Sequence, residues 1–451
     1  MMATALAVLD AAGADGAIAL VARNRPAHVA TMAGALDAGC PLTMVHSAQS
    51  PARLAADIER LRRPAVVADR GDWSAEALAA ARKVGSAAIA LSGGADRALV
   101  ELLSQRGQGP FDEPPSGTAL ELLSSGTTGA PKQVPLSRET VSRSLAASGT
   151  MFAGSDGAKP QIMAAPLGNI SGLGYAMAPL MNRQQLVLLD RFRPSEWAEA
   201  IRKFQPTRGS LPPAGIRMML DSDVPANWLA SLEVVGVGGG RVDLDLQAEF
   251  EAKYGVAVTL AYGATEFAGV VAAWTTDLYR EYGKAKRGSS GRVIPSAKLR
   301  VVDPQTGDIL PADEQGVLEV SAERIGPDWI RTTDLAHIDA DGFLFLDGRA
   351  DGAINRGGFK VMPETIANAL CQHPAVADAA ALGIADARLG EVPVAAVELV
   401  SGASVSPDEL RAFLADRLLA WQQPVDIRIL GALPRNQSLK VALGELKVLF
   451  S

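Results

Sequence analysis

The chain has 451 residues, which at about 100–200 residues per domain implies about two to four structural units rather than one core. Forty-three Lys and Arg against 50 Asp and Glu leave a formal net charge of −7, so the surface offers no general field for DNA, RNA or an anionic membrane. Hydrophobic residues at 48% and charged residues at 21% match an ordinary globular protein and argue against extended disorder.

Cys40 and Cys371 lie far apart, which excludes a disulfide framework or a Cys-based zinc site and fits a reducing compartment. His28, His46, His337 and His373 show no HExxH-type pairing. No apolar run reaches the roughly 18 residues that a membrane helix needs. The apolar start, Met1 to Leu9, lacks a basic region and is cut by Asp10, so it reads as helix rather than signal peptide. A cytoplasmic location is the expectation.

In chain order, Ala17–Val21 reads as a buried strand and Pro26–Ala38 as the helix after it. Pro64–Ala68 is strand-like, Ser74–Lys83 helical and Ala87–Leu91 strand-like again. Such alternation predicts largely parallel sheets with helices on their faces. Ala119–Leu123 is a further apolar strand, which leads through a polar run to a helix that Ser137 can cap. Lys298–Val302 and Val317–Val320 alternate apolar and polar residues around turn signals and read as antiparallel β.

Gly348–Gly358, with four glycines and three charged residues, marks a break. Beyond it, Pro363 can start a helix through Ile366 and Leu370 that Pro374 ends. Ala379–Ile384 and Val394–Val400 are strand-like. Ser406-Pro-Asp-Glu409 is a capping box opening a helix whose Leu410, Phe413, Leu414 and Leu418 share a face. The expected fold class is α/β. A large multi-subdomain lobe (residues 1–348) combines parallel αβα-type sheets with a distorted antiparallel part, and a smaller mobile α+β lobe (residues 349–451) follows.

The run Ser124-Ser-Gly-Thr-Thr-Gly-Ala-Pro-Lys132 offers hydroxyls, glycines and one cation, the means to surround a polyphosphate. It is not a Walker A loop, because Lys132 follows Pro131 and no Ser or Thr follows it. Composition alone fits a polar turn equally well.

The full string closely resembles the phosphate-loop signature of the adenylate-forming superfamily of acyl- and aryl-CoA synthetases, adenylation domains and luciferases. The family's other motifs follow in order. Tyr262-Gly-Ala-Thr-Glu266 is similar to its YGxTE, Gly238-Gly-Gly240 to its small-residue adenine position, and Arg331-Thr-Thr-Asp334 to its TGD with Thr333 in place of Gly. Gly348-Arg-Ala-Asp-Gly-Ala-Ile354 with Gly357-Gly-Phe-Lys360 resembles the hinge motif. Leu433-Pro-Arg-Asn-Gln-Ser-Leu-Lys440 resembles LPRTxSGK, with Leu439 in place of Gly.

The resemblance implies a role for each position. Ser124, Ser125, Gly126, Thr127, Thr128, Gly129 and Lys132 would hold the phosphates of ATP. Tyr262, Gly263 and Gly238, Gly239, Gly240 would flank the adenine, Thr265 would meet phosphate, and Ser124 and Glu266 would hold Mg²⁺. Asp334 would accept from the ribose hydroxyls and Arg349 would contact the nucleotide. Asp351 would be the hinge and Gly357 and Gly358 would face coenzyme A. Lys440, Glu266 and Thr128 would be catalytic. The early region from Gly34 to Leu54 also resembles the family, and the resemblance implies a chain shortened at its front.

Pro166–Gly172 aligns with the stretch that lines the family's acyl pocket. Amino-acid-activating relatives place an Asp there, whereas this chain has Gly168 and Asn169, and an unpaired ammonium would be costly to bury. The expected substrate is therefore a non-amino carboxylic acid, fatty or aryl, with Asn169, Gly172 and Ala264 near it. The glycines of this region equally suit backbone packing. The implied reaction is ATP-dependent activation of the acid and transfer to coenzyme A, with no nucleic-acid partner. Loading of a carrier-protein thiol, luciferase-type oxidation and an inactive nucleotide-binding relative are the alternatives. No coiled-coil heptad run occurs, and the sequence leaves the oligomeric state open.

Overall fold

The computed structural model describes all residues except 1, 14–15, 48, 95–97, 125–131, 153–158, 239–241, 243, 350–351, 353, 357–358, 387–388, 416, 419–420, 437–438 and 451. The chain folds as two compact units. Residues 1–239, 248–271 and 322–327 form the first, and residues 240–247, 272–321 and 328–451 form the second.

The first unit is built on β1 (Ile18–Ala22), β2 (Leu42–His46), β3 (Ala65–Asp69), β4 (Ala87–Gly93), β5 (Ala98–Ser104), β6 (Thr118–Ser124) and β7 (Lys132–Ser137). Among the described residues these make one seven-stranded sheet in the order β5-β4-β3-β1-β2-β6-β7. The five central strands pair parallel, and the edge strands β5 and β7 run antiparallel. Alternation along β1 sends Ile18, Leu20 and Ala22 into one apolar cluster and Ala19 and Val21 into another. The first cluster packs α1 (Met2–Ala12) and α2 (Pro26–Ala38) on one face; the second packs α3 (Pro51–Leu61) and α4 (Ala75–Val84) on the other. Ser50 and Ser74 cap α3 and α4 by accepting from the N–H groups of Arg53 and Ala77.

One local expectation needs correction. The polar run after β6 does not lead straight to a helix. β7 intervenes, and Ser137 at its end caps α5 (Arg138–Phe152), its hydroxyl accepting from Thr140 N at 3.1 Å. β7 holds Pro135, which a strand tolerates at a sheet edge because no ladder bond is lost there. Its short mixed run, Lys-Gln-Val-Pro-Leu-Ser, lacks the aliphatic density that marks the central strands.

Further along this unit, Arg208–Leu211, Val234–Gly238 and Ala257–Ala264 pair in parallel. Trp197, wholly buried on the Pro194–Phe204 helix, packs over Gly209, where an added Cβ would lie 2.9 Å from the indole.

In the second unit, Gly316–Ala322, Ile330–Ile338 and Leu344–Arg349 pair antiparallel, as the alternating pattern predicts. Val376–Asp386 and Gly390–Leu399 form a long antiparallel pair, joined in parallel by Asp426–Leu430. Helices Pro363–Cys371 and Pro407–Ala415 bury Ile366, Leu370, Leu410 and Leu414 in one cluster with Val397 and Ile427. The capping box forms: Glu409 N donates to Ser406 Oγ at 3.2 Å while Ser406 N donates to Glu409 Oε2 at 2.7 Å. Among the described residues no helix is long and apolar enough to cross a membrane.

Candidate active site

In the first unit β6 ends at Ser124 and β7 begins at Lys132, and these two residues are register partners. The two ends of the phosphate-loop run thus meet where β6 and β7 pair antiparallel at the edge of the sheet. Ser125, Gly126, Thr127, Thr128 and Gly129 lie outside the described residues, and of Ser124 only the backbone is described. Just before the hairpin, Glu121 is 2% exposed and accepts from Arg63 Nη2 at 2.7 Å, Thr43 Oγ1 at 3.0 Å and Gln133 Nε2 at 3.1 Å. A buried ion pair satisfied this fully ties β2, β6 and β7 together at the root of the loop. Sequence reading passed over Arg63 and Glu121, since a lone acid in an apolar strand carries no local signal of its partner.

Tyr262, Gly263 and Ala264 end the Ala257–Ala264 strand, and Thr265 and Glu266 occupy the 3₁₀ turn Thr265–Phe267. Tyr262 is buried with its ring 5.7 Å from that of Phe267, whereas the Glu266 carboxylate is exposed. Gly238 pairs with Ala261 at the same end of the parallel strands. A Cβ added at Gly238 would meet none of the described residues within 4 Å. Gly263 differs: a Cβ there would lie 2.5 Å from Gly269 O, a close approach of two backbones that only glycine permits. Gly239 and Gly240 lie outside the described residues.

The turn after Glu266 is strained. Ala268 has φ 52° and Gly269 has φ 128°, conformations that cost a non-glycine residue about 1–3 kcal/mol. Side chains hold it in place: Ser144 Oγ donates to Ala268 O at 2.6 Å, and Arg324 donates to Phe267 O at 2.7 Å and Val270 O at 2.6 Å.

Asn169 stands at the N-cap of α6 (Ile170–Met181). The loop before α6 is fastened by buried Asn24, whose amide donates to Ala165 O and Leu189 O and accepts from Leu167 N. At Gly172 an added Cβ would fall 2.1 Å from Pro166 O, a close backbone approach that requires glycine. At Gly168 a Cβ would make ordinary contact, 3.4 Å from His46 Nδ1. His46 reaches from β2 to Leu123 O, 3.2 Å away, and burial holds its imidazole below the usual histidine range against the pull of that hydrogen bond. The ring thus lies between the end of β6 and the backbone at Gly168, a placement no local pattern announced.

In the second unit, Asp334 and Arg349 are register partners across adjacent strands. Thr332 fixes the backbone beside them, its hydroxyl accepting from Asp334 N at 3.0 Å and donating to Leu318 O at 2.7 Å. Thr333 lies within the strand, where a β-branched residue is at ease in place of the family's glycine. The Arg349 side chain, Asp351, Gly357 and Gly358 lie outside the described residues.

Lys440 closes a tight turn in which Asn436 N donates to Lys440 O at 2.7 Å and Lys440 N donates to Asn436 Oδ1 at 3.1 Å. Arg435 anchors the turn through Leu439 O and an ion pair with Asp378. Leu439 has φ 60°, the left-handed region. Glycine adopts this conformation freely, whereas the leucine bears the strain.

A model of the AMP-binding enzyme family matches residues 1–326, and a model of the AMP-binding enzyme C-terminal domain matches residues 365–440. The chain belongs to the AMP-binding enzyme family. Peroxisomal OPC-8:0-CoA ligase 1 of Arabidopsis thaliana is 30% identical over 350 residues, which cover 73% of this chain and 63% of that protein. 4-Coumarate--CoA ligase-like 9 of Oryza sativa subsp. japonica is 32% identical over 349 residues, covering 72% of this chain and 62% of that protein. The match thus spans less than two thirds of the length of these relatives. ATP-bound MatB from Rhodopseudomonas palustris superposes with a TM-score of 0.84 at 23% identity, over 100% of this chain and 92% of that one. Amide bond synthetase McbA from Marinactinospora thermotolerans gives 0.81 at 24%, over 100% and 93%. These likenesses establish the shared α/β fold.

Proposed function

We propose that this chain is an AMP-forming acid–thiol ligase that activates a non-amino carboxylic acid, fatty or aryl, with ATP and passes the acyl group to coenzyme A. The observation that supports this most is family membership joined to the placement of Tyr262–Glu266. That run ends a parallel strand and leads into a turn braced by buried side chains, with one carboxylate exposed.

A carboxylate oxygen attacks the α-phosphorus of ATP, the bond to the bridging oxygen of pyrophosphate breaks, and acyl-AMP remains. Charge builds on the α-phosphoryl oxygens as an anion approaches a polyanion. Lys440 supplies a compensating cation, and Lys132 with the hydroxyls and N–H groups of the phosphate loop bind the triphosphate. Asp334 accepts from the ribose hydroxyls, Arg349 meets the nucleotide, and Tyr262 with Gly238 borders the adenine.

Glu266 and Ser124 are hard oxygen donors that fit a magnesium ion. Among the described residues no three His, Cys, Asp or Glu side chains cluster as a metal cage. A magnesium ion there would take most of its ligands from phosphate and water. When bound it offsets the charge of the triphosphate.

In the second step a thiolate attacks the acyl carbonyl and AMP leaves with the electron pair. Residues 349–451 act here as a mobile lobe turning about Asp351, with Gly357 and Gly358 toward the pantetheine.

The test is carboxylate-dependent pyrophosphate release over a panel of fatty, aryl and amino acids, with and without coenzyme A. Acid-dependent release with thioester formed only with coenzyme A is the expected result. Adenylate formed without thioester would direct the search to a carrier-protein thiol, and no release with any acid would leave an inactive nucleotide-binding relative.

A further inference from the structure

Residues 322–327 belong to the first unit although the chain on either side belongs to the second. Two side chains fasten this short return. Arg143 on α5 donates to Glu323 O at 2.8 Å, and Arg324 turns inward to the carbonyls of Phe267 and Val270, residues more than 50 positions away. Arg324 is 4% exposed. Among the described residues no carboxylate acts on it, and burial draws its guanidinium down to about 10. A buried cation with no counter-charge among the described residues is an expensive way to satisfy two carbonyls. What it holds is the strained Ala268–Gly269 bend, next to the exposed carboxylate of Glu266. Strained backbone persists where neighbours over-determine it, and it gathers at working sites.

We propose that Arg324 is a positioning residue of the adenylation site: its rigid fork fixes the bend at Ala268–Gly269 and so the attitude of the Thr265–Glu266 turn toward the triphosphate and its metal ion. This rests on the adenylation reading above. Arg324 touches no reacting atom and acts through Glu266. The planar guanidinium spans two carbonyls at once, which a lysine ammonium on a flexible stem cannot reproduce in full.

The test compares Arg324→Met, Arg324→Lys, Glu266→Gln and the two double variants. Adenylation is followed over a magnesium titration, and amide hydrogen exchange is followed at residues 265–270. Arg324→Met is expected to lower the adenylation rate about 10²-fold and to raise the magnesium concentration for half-maximal rate, while Arg324→Lys recovers part of the loss. Combined with Glu266→Gln, either change should cost less than about threefold more, because both act through one carboxylate. Exchange at 265–270 should quicken in Arg324→Met. Multiplicative losses in the double variants, a wild-type magnesium response, or unchanged exchange would each overturn the proposal. Should Arg324→Met fail to fold, the Arg324→Lys cycle carries the same comparison. A wild-type protein that forms no adenylate would sink the functional reading, and the exchange rates would still decide whether Arg324 holds the turn.

Discussion

Asp334 and Arg349 stand opposite each other in register on the antiparallel strands Ile330–Ile338 and Leu344–Arg349. Two motifs separate in sequence, one proposed for the ribose and one for the hinge, are thereby joined by a single ladder. The Asp334 backbone is further pinned by Thr332, so the carboxylate is presented from a fixed strand rather than a loop. A hydrogen bond to a charged group contributes about 1.5–3 kcal/mol, or about 10–100-fold in affinity. Asp334→Asn should raise the KM for ATP by about that factor, and steady-state kinetics at saturating acid would show it. An unchanged KM would remove Asp334 from the nucleotide site.

The turn that bears Lys440 makes two separable statements. Lys440→Ala should lower the adenylation rate by about 10²–10³-fold with ATP binding close to normal. Calorimetric ATP affinity beside pyrophosphate release distinguishes that from lost binding, and an unaltered rate would free Lys440 of a catalytic role.

Leu439 tests the backbone itself. Leu439→Gly and Leu439→Ala both remove the isopropyl group and differ only in the Cβ, and only glycine is at ease at φ 60°. The glycine variant should be more stable by about 1 kcal/mol, the reverse of the order in a helix. Equal melting temperatures, or alanine above glycine, would contradict the left-handed turn.

The buried Arg63–Glu121 pair, with both side chains 3% exposed, should behave asymmetrically. Arg63→Met leaves a carboxylate in the core and should cost about 3–5 kcal/mol in denaturant unfolding. Adding Glu121→Leu should restore much of that loss. A single variant as stable as wild type would show that the pair does not hold the root of the hairpin.

His46 should give the fold a pH dependence. Its imidazole titrates below 6.5 when folded, so the unfolded chain takes up a proton first as the pH falls. The stability it contributes is complete above 6.5 and is lost as the pH drops toward the folded value. Melting from pH 7.5 to 5 should therefore fall less steeply in His46→Gln than in wild type. Parallel slopes would mean that His46 is accessible to solvent and titrates normally.

Much of this protein is legible in short stretches of its chain. The Pro26–Ala38 helix, the Ser406–Glu409 capping box and the alternation of strand and helix are local, because caps, turns and apolar periodicity act over a few residues. The ordered motifs are contiguous strings, so the family could be read before any contact was known. β7 escaped notice because its pairing with β6, not its composition, makes it a strand. The need for glycine at position 172 was equally closed to sequence, since it depends on where Pro166 O lies. Arg63, His46 and Arg324 each reach a partner more than 50 residues away. Such pairings exist only once the chain has been brought together, because burial and the loss of water are what turn an ordinary charge or imidazole into a brace for a distant turn.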